Sequence, residues 1–125
     1  IITGAIKALI DDDVLEIRSD GKMVREYVYV RDVAYACILL ASNIDRAKGE
    51  AFNLGSNEVF SVLEILDRIS AALKMPIKKK ILNNAKAEIP MQSLDYSKIR
   101  KLVGWQPSIS FEKAIQETYN WYAKR

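Results

Sequence analysis

Histidine is absent from the 125 residues, and cysteine occurs once, at Cys37. Without an imidazole there is no serine-histidine or cysteine-histidine hydrolytic device and no cysteine/histidine zinc cluster. A lone cysteine also rules out an internal disulfide. Glycine is sparse as well: the five glycines stand at 4, 21, 49, 55 and 104, so no Gly-rich phosphate loop of the dinucleotide or nucleotide-triphosphate type can be written. A bound NAD would find no cradle in these residues. No tyrosine is followed four positions on by a lysine whose charge could lower its phenol pKa. The residues found there are Arg31 after Tyr27, Val33 after Tyr29, Leu39 after Tyr35, Arg100 after Tyr96 and Ala123 after Tyr119, and Tyr122 stands too near the end to have one. No residue of the chain is therefore expected to be catalytic, and none to ligate a metal. The run Asp11-Asp12-Asp13 reads as a solvated loop, because adjacent acids point in different directions.

Long apolar runs are missing too. A membrane span needs about 18 or more consecutive apolar residues, and the opening Ile1-Ile2-Thr3-Gly4 lacks the charged start and cleavage site of a signal peptide. The expectation is a cytoplasmic protein. The 19 basic residues are interspersed with 16 acidic ones for a net charge of +3, which argues against a duplex nucleic-acid partner. Local positive clusters at Lys78-Lys79-Lys80 and at Lys98, Arg100 and Lys101 read as solvated surface, with attraction of a small diphosphate ligand as the functional alternative.

What is present suits one soluble globular domain: half the residues are apolar and 28% are charged, with no repeat and no Pro/Gly-rich linker. Thr3 to Ile10 reads as the end of a helix. Val14 to Ile17 and Val24 to Val30 read as strands joined through Ser19-Asp20-Gly21-Lys22, since Asp-Gly is a strong hairpin signal. From Asp32, a plausible N-cap, apolar residues at Val33, Ala36, Cys37 and Leu40 follow helical spacing, and their neighbours are apolar as well, so this helix should be buried nearly all round.

Ala51 to Leu54 reads as a short strand ended by Gly55. Ser61-Val62-Leu63-Glu64 has the capping-box spacing and opens an amphipathic helix that Met75-Pro76 ends. Ile77 to Leu82 is a further strand and Asn83 to Ser93 a loop. Asp95 caps a short helix ending before Gly104, and Ser110 caps a last helix with its apolar stripe at Phe111, Ala114, Ile115, Thr118, Tyr119 and Tyr122. Trp121 and Tyr122 read as core. The chain is mixed α+β, without the regular strand-helix alternation of a dinucleotide fold.

The segment Arg25-Glu26-Tyr27-Val28-Tyr29-Val30-Arg31-Asp32 resembles the Arg-Asp-Tyr/Phe-x-Tyr/His-Val-x-Asp motif of extended short-chain dehydrogenases/reductases. The resemblance continues through Gly49-Glu50-Ala51-Phe52-Asn53-Leu54-Gly55, the Ser61 helix, Leu102-Val103-Gly104-Trp105-Gln106-Pro107 and Glu117-Thr118 with Trp121-Tyr122, covering nearly the whole chain in order. Within the family, Ile81 to Lys86, Glu88-Ile89 and Gln92 to Asp95 are most similar to CDP-glucose 4,6-dehydratases. One departure is Glu26, where the motif has aspartate; the change is conservative if the acid only braces backbone or its neighbours.

The resemblance implies an α/β fold in which residues 1–125 are a single domain, the C-terminal substrate-binding lobe of an NAD-dependent sugar-nucleotide epimerase/dehydratase of polysaccharide biosynthesis. The Rossmann half, with NAD, the glycine loop and the tyrosine-lysine pair, would precede Ile1. The implied partners are a nucleotide-diphosphate sugar, that N-terminal half and further copies in a homo-oligomer. The residue that grips the diphosphate in the family corresponds to Arg25, and Lys86, in a loop similar to the phosphate-side loop, is the second substrate-binding candidate.

The residues themselves agree on Arg25. Strand alternation puts Arg25, Tyr27, Tyr29 and Arg31 on one face, and a planar guanidinium matches a phosphate bidentately. An arginine paired with a surface acid is the competing reading, and Tyr27 and Tyr29 read as packing. For the whole protein the alternatives to a 4,6-dehydratase are a 4-epimerase or reductase of the same family, or a non-catalytic binding module.

Overall fold

The computed structural model describes residues 1–124. Six helices and four short strands follow in the order α1 (Ile2–Ile10), β1 (Leu15–Ile17), β2 (Val24–Glu26), α2 (Val30–Ser42), α3 (Ile44–Ala47), β3 (Val59–Ser61), α4 (Val62–Leu73), β4 (Lys79–Ile81), α5 (Ser97–Val103) and α6 (Phe111–Ala123). The mixed α+β class is as expected.

The amphipathic pattern of α4 does what its spacing implies. Ile65, Leu66 and Ile69 are fully buried and meet Ala5 of α1, Ile17 of β1 and Phe111 and Ile115 of α6. Each such side chain contributes about 1.5–3 kcal/mol by leaving water. The capping box is complete: the Glu64 amide donates to Ser61 Oγ at 3.2 Å and the Ser61 amide donates to Glu64 Oε2 at 2.8 Å. Lys74, with φ 54°, turns the chain out of the helix ahead of Met75-Pro76. A second cluster gathers Ala36 of α2, Ile99 of α5 and Trp105, flanked by Val28, Leu40, Phe52 and Tyr96.

The hairpin expected at residues 14–30 does not form. β1 pairs in parallel with β4, Leu15 opposite Lys79, while β2 pairs antiparallel with β3, Arg25 opposite Phe60. The turn itself is present: Gly21 has φ 83°, its amide donates to Ser19 Oγ, and the Lys22 amide donates to Asp20 Oδ1. It is docked on α4, whose Leu63 amide donates to the Gly21 carbonyl and whose Leu63 side chain fills the space a Cβ at Gly21 would need. The turn therefore sends the two strands into different sheets.

Three further expectations are corrected. The strand over 24–30 stops at Glu26, residues 51–54 adopt no strand, and α2 starts at Val30 rather than after Asp32. Nor is α2 buried all round: Val30, Tyr35 and Ile38 are 67%, 52% and 61% exposed, and Cys37 is exposed. Trp121, read as core, is about half exposed and stacks edge-on against Tyr122.

Candidate functional site

β2 is flanked on both edges. On one side it pairs with β3; on the other the Val24 amide donates to the Pro90 carbonyl and the Gln92 amide donates to the Val24 carbonyl, with Met91 bridged in parallel to Val24. The loop after β4 is thus tied at both ends, because the amides of Leu82, Asn84 and Ala85 donate to the carbonyls of Ile17 and Arg18 beside β1. Between these ties lie Lys86, Ala87 and Glu88, with Ala87 at φ 56°.

Arg25 sits at the centre of this arrangement. Its Nη1 donates to the Ile89 carbonyl at 2.7 Å and to the Val24 carbonyl at 2.8 Å. No acid neutralises it among the described residues, and Nε and Nη2 have no acceptor there. The competing reading, an arginine engaged by a surface carboxylate, does not match this geometry. Lys86 is exposed in the neighbouring loop and makes no ion pair among the described residues. The structure therefore brings the Lys86 loop to Arg25 through Ile89, without contact between the two cations.

The second guanidinium goes elsewhere. Because the strand ends at Glu26, Arg31 falls in the first turn of α2 and reaches Glu117 of α6 at 3.0 Å, a carboxylate that also accepts from the Tyr29 hydroxyl at 3.0 Å. Hydrogen bonds from Arg31, then from Tyr29, hold the Glu117 carboxyl below its ordinary pKa. Burial, followed by the bond to Glu117, raises the Tyr29 phenol. Tyr27 is packed in the first core cluster, its hydroxyl buried without a partner, and burial raises its pKa against the opposing effect of Arg25. Both tyrosines thus stay neutral hydroxyls near neutral pH.

Two acids of the motif brace backbone at a distance. Asp32, 2% exposed, accepts from the Ser108 amide and hydroxyl at 3.1 and 3.0 Å and from the Ile109 amide at 3.3 Å, while its own carbonyl accepts from the Trp105 indole at 2.9 Å. It pins the start of α2 to the segment before α6 instead of capping its own helix. Glu26 accepts from the amides of Ser56 and Leu94. The only signal for it was its departure from the family aspartate.

A cavity of about 310 Å³ lies behind this junction, lined by Tyr27, Tyr29, Asp32, Ser56, Ser108 and Thr118 among others, and by neither Arg25 nor Lys86. The basic clusters are partly compensated: Lys78 pairs with Asp12, Lys79 with Asp67 and Lys98 with Glu50, as solvated surface does. The aspartate run forms part of no metal-binding group among the described residues.

Known proteins fit this architecture. Residues 1–55 match the model of the NAD dependent epimerase/dehydratase family. UDP-glucuronate 4-epimerase of Thermodesulfobacterium geofontis is 30% identical over 120 residues, which are 93% of this chain and 35% of that protein. dTDP-glucose 4,6-dehydratase of Haemophilus influenzae is 30% identical over 120 residues, covering 86% of this chain and 35% of the relative. Among solved structures, UDP-glucose 4-epimerase of Thermotoga maritima with UDP-glucose superposes with a TM-score of 0.83 at 25% identity, over 95% of this chain and 38% of that one. UDP-glucuronic acid 4-epimerase of Bacillus cereus, solved with UDP-glucuronic acid and NAD, gives a TM-score of 0.86 at 24% identity over 98% of this chain and 39% of that one. The chain thus spans little more than a third of the length of these relatives. Its fold is the one such extended short-chain dehydrogenases/reductases show over that stretch.

Proposed function

We propose that residues 1–125 are the nucleotide-sugar-binding lobe of a longer NAD-dependent enzyme that works on the sugar of a nucleotide diphosphate. Arg25 is the residue that holds the diphosphate, with Lys86 as an auxiliary cation on the adjoining loop. The observation that carries this reading is the half-engaged guanidinium: Nη1 is pinned by two backbone carbonyls, which fixes the plane, while Nε and Nη2 keep an unpaired edge suited to two phosphate oxygens.

In this reading NAD is not held by these residues, and local features support that. The N-termini of α4 and α6 are closed by their own serines, Ser61 and Ser110, and the bare backbone of Gly55 is filled by Glu26 and the Leu94 carbonyl. In this reading NAD and the proton-transfer groups belong to a Rossmann half outside these residues, and the whole protein assembles as a homo-oligomer.

Within the class, we favour a CDP-glucose 4,6-dehydratase, in which C4 of the hexose is oxidised by hydride transfer to NAD, water is lost across C5 and C6, and the hydride returns to the sugar. The similarity of residues 81–95 to that subfamily supports it. A 4-epimerase is the second reading, favoured by relatives such as the Thermodesulfobacterium enzyme at the same 30% identity as the dehydratase. Incubation of the intact natural protein with CDP-, UDP- and dTDP-glucose, followed by mass and NMR analysis of the sugar, separates them. Loss of 18 mass units with a 4-keto product supports the dehydratase; an unchanged mass with inversion at C4 supports the epimerase. No turnover and no binding of any of the three overturns the proposal.

A further inference from the structure

The half-buried Glu26 carboxylate sits between backbone donors from two separate segments. Oε1 accepts from the Ser56 amide and Oε2 from the Leu94 amide at 2.5 Å, so one side chain ties the turn after Gly55 to the end of the loop that carries Lys86. The approach is close enough that a Cβ at Gly55 would lie 2.8 Å from Glu26 Oε1 and 2.7 Å from the Leu94 carbonyl oxygen. Ser56 adds a third tie, its hydroxyl donating to the Tyr27 carbonyl at 2.7 Å. On the preceding residue of the same strand, Arg25 takes its orientation from the Ile89 carbonyl, five positions before Leu94 in that loop. The loop therefore meets β2 through three successive residues: Val24 by backbone, Arg25 by guanidinium and Glu26 by carboxylate.

From this geometry we infer that Glu26 is a positioning residue: it clamps the 89–94 segment against β2, and through the Ile89 carbonyl sets the plane in which Arg25 meets its ligand. The inference rests on the reading of Arg25 as a diphosphate-binding residue. It explains why an acid follows the arginine even though no cation pairs with it among the described residues. A carboxylate has two acceptor oxygens and no donor, as two converging amides require. Glutamine of the same shape would turn an NH₂ toward one of those amides.

The test uses the intact protein with CDP-glucose and UDP-glucose as probes, comparing Glu26→Gln, Arg25→Ala and the double variant by calorimetry and by amide exchange at Leu94. Glu26→Gln should speed exchange at Leu94 roughly tenfold or more, as local opening of the clamp requires. It should also weaken binding about threefold to tenfold, a loss of the size of one neutral hydrogen bond. The double variant should bind no more weakly than Arg25→Ala alone, because Glu26 acts through Arg25. Unchanged affinity in Glu26→Gln, or a loss that simply adds to that of Arg25→Ala, overturns the inference. If Arg25→Ala itself leaves affinity intact, the functional reading of Arg25 fails separately; exchange at Leu94 then still decides whether Glu26 clamps the loop.

Discussion

The helices α4 and α2 are both rich in apolar residues, yet the clusters built around them differ in how far they close. α4 carries its apolar residues on one face, and α1, β1 and α6 close over that face. α2 is apolar nearly all round, yet only Ala36 and Asp32 of its residues are fully buried, and Val30, Tyr35 and Ile38 stay open. An amphipathic stripe thus states both that a face is buried and which face. A helix apolar on every side states only that much surface is available for burial, and this chain covers part of it.

The largest effect that would break the comparison is in the first cluster. Ile65→Ala should cost about 2–5 kcal/mol, the range for truncating a fully buried aliphatic side chain, whereas Ile38→Ala on the open side of α2 should stay within about 0.5 kcal/mol. Thermal or denaturant unfolding of the two variants side by side checks this, and equal losses would mean that the α2 face is covered in solution. Arg25→Ala should weaken nucleotide-sugar binding by roughly 1.5–3 kcal/mol, about tenfold to a hundredfold, with Arg25→Lys recovering only part. A fall in melting temperature with unchanged affinity would make Arg25 structural.

The open face should also drive self-association of the chain expressed by itself, since contiguous exposed apolar surface does so. Light scattering should show a concentration-dependent rise in mass that Ile38→Glu suppresses; a monomer at all concentrations counts against it. Smaller again is the cap, where Ser61→Ala should cost about 1 kcal/mol.

The smallest effect is electrostatic. The Glu117 pKa is lower when folded, so its stabilising contribution is present above the unfolded value, about 4.3, and is lost as pH falls through the folded value. Glu117→Gln should lower the melting temperature slightly at pH 7 and leave it nearly unchanged at pH 3, so that its dependence on pH between 5 and 3 flattens.

Legibility followed the same divide. The capping box at Ser61, the stop at Met75-Pro76 and the cap at Ser110 were readable because each is local chemistry between residues three or four apart. The hairpin was misread because Asp20-Gly21 specifies that the chain turns, while the partners of the flanking strands are decided by Leu63 docking on Gly21 and by the arrival of residues 59–61 and 79–81. Arg25 stands out in the sequence through the motif, and in the fold it makes no ion pair among the described residues. Its supposed companion Arg31 was misread, since strand alternation holds only while the strand lasts, and Tyr29 already accepts the first bonds of α2 from Asp32 and Val33. Glu26 and Asp32 stand out in the motif, but they act across long separations, on Leu94 and Ser108, so their partners are not legible from their neighbourhood.

The parallel pairing of β1 with β4 has a kinetic meaning. Its two strands are separated by roughly sixty residues of chain, including α2, α3 and α4. Closing so long a loop costs entropy that only a preformed scaffold offsets, and non-local pairings slow folding. β1 therefore waits for α4 to bring β4 alongside, and during that interval its edge is open. During synthesis β1 has no β4 to pair with until residue 79 and its neighbours have emerged, which makes this strand, the earliest among the described residues, one of the last of them to be secured.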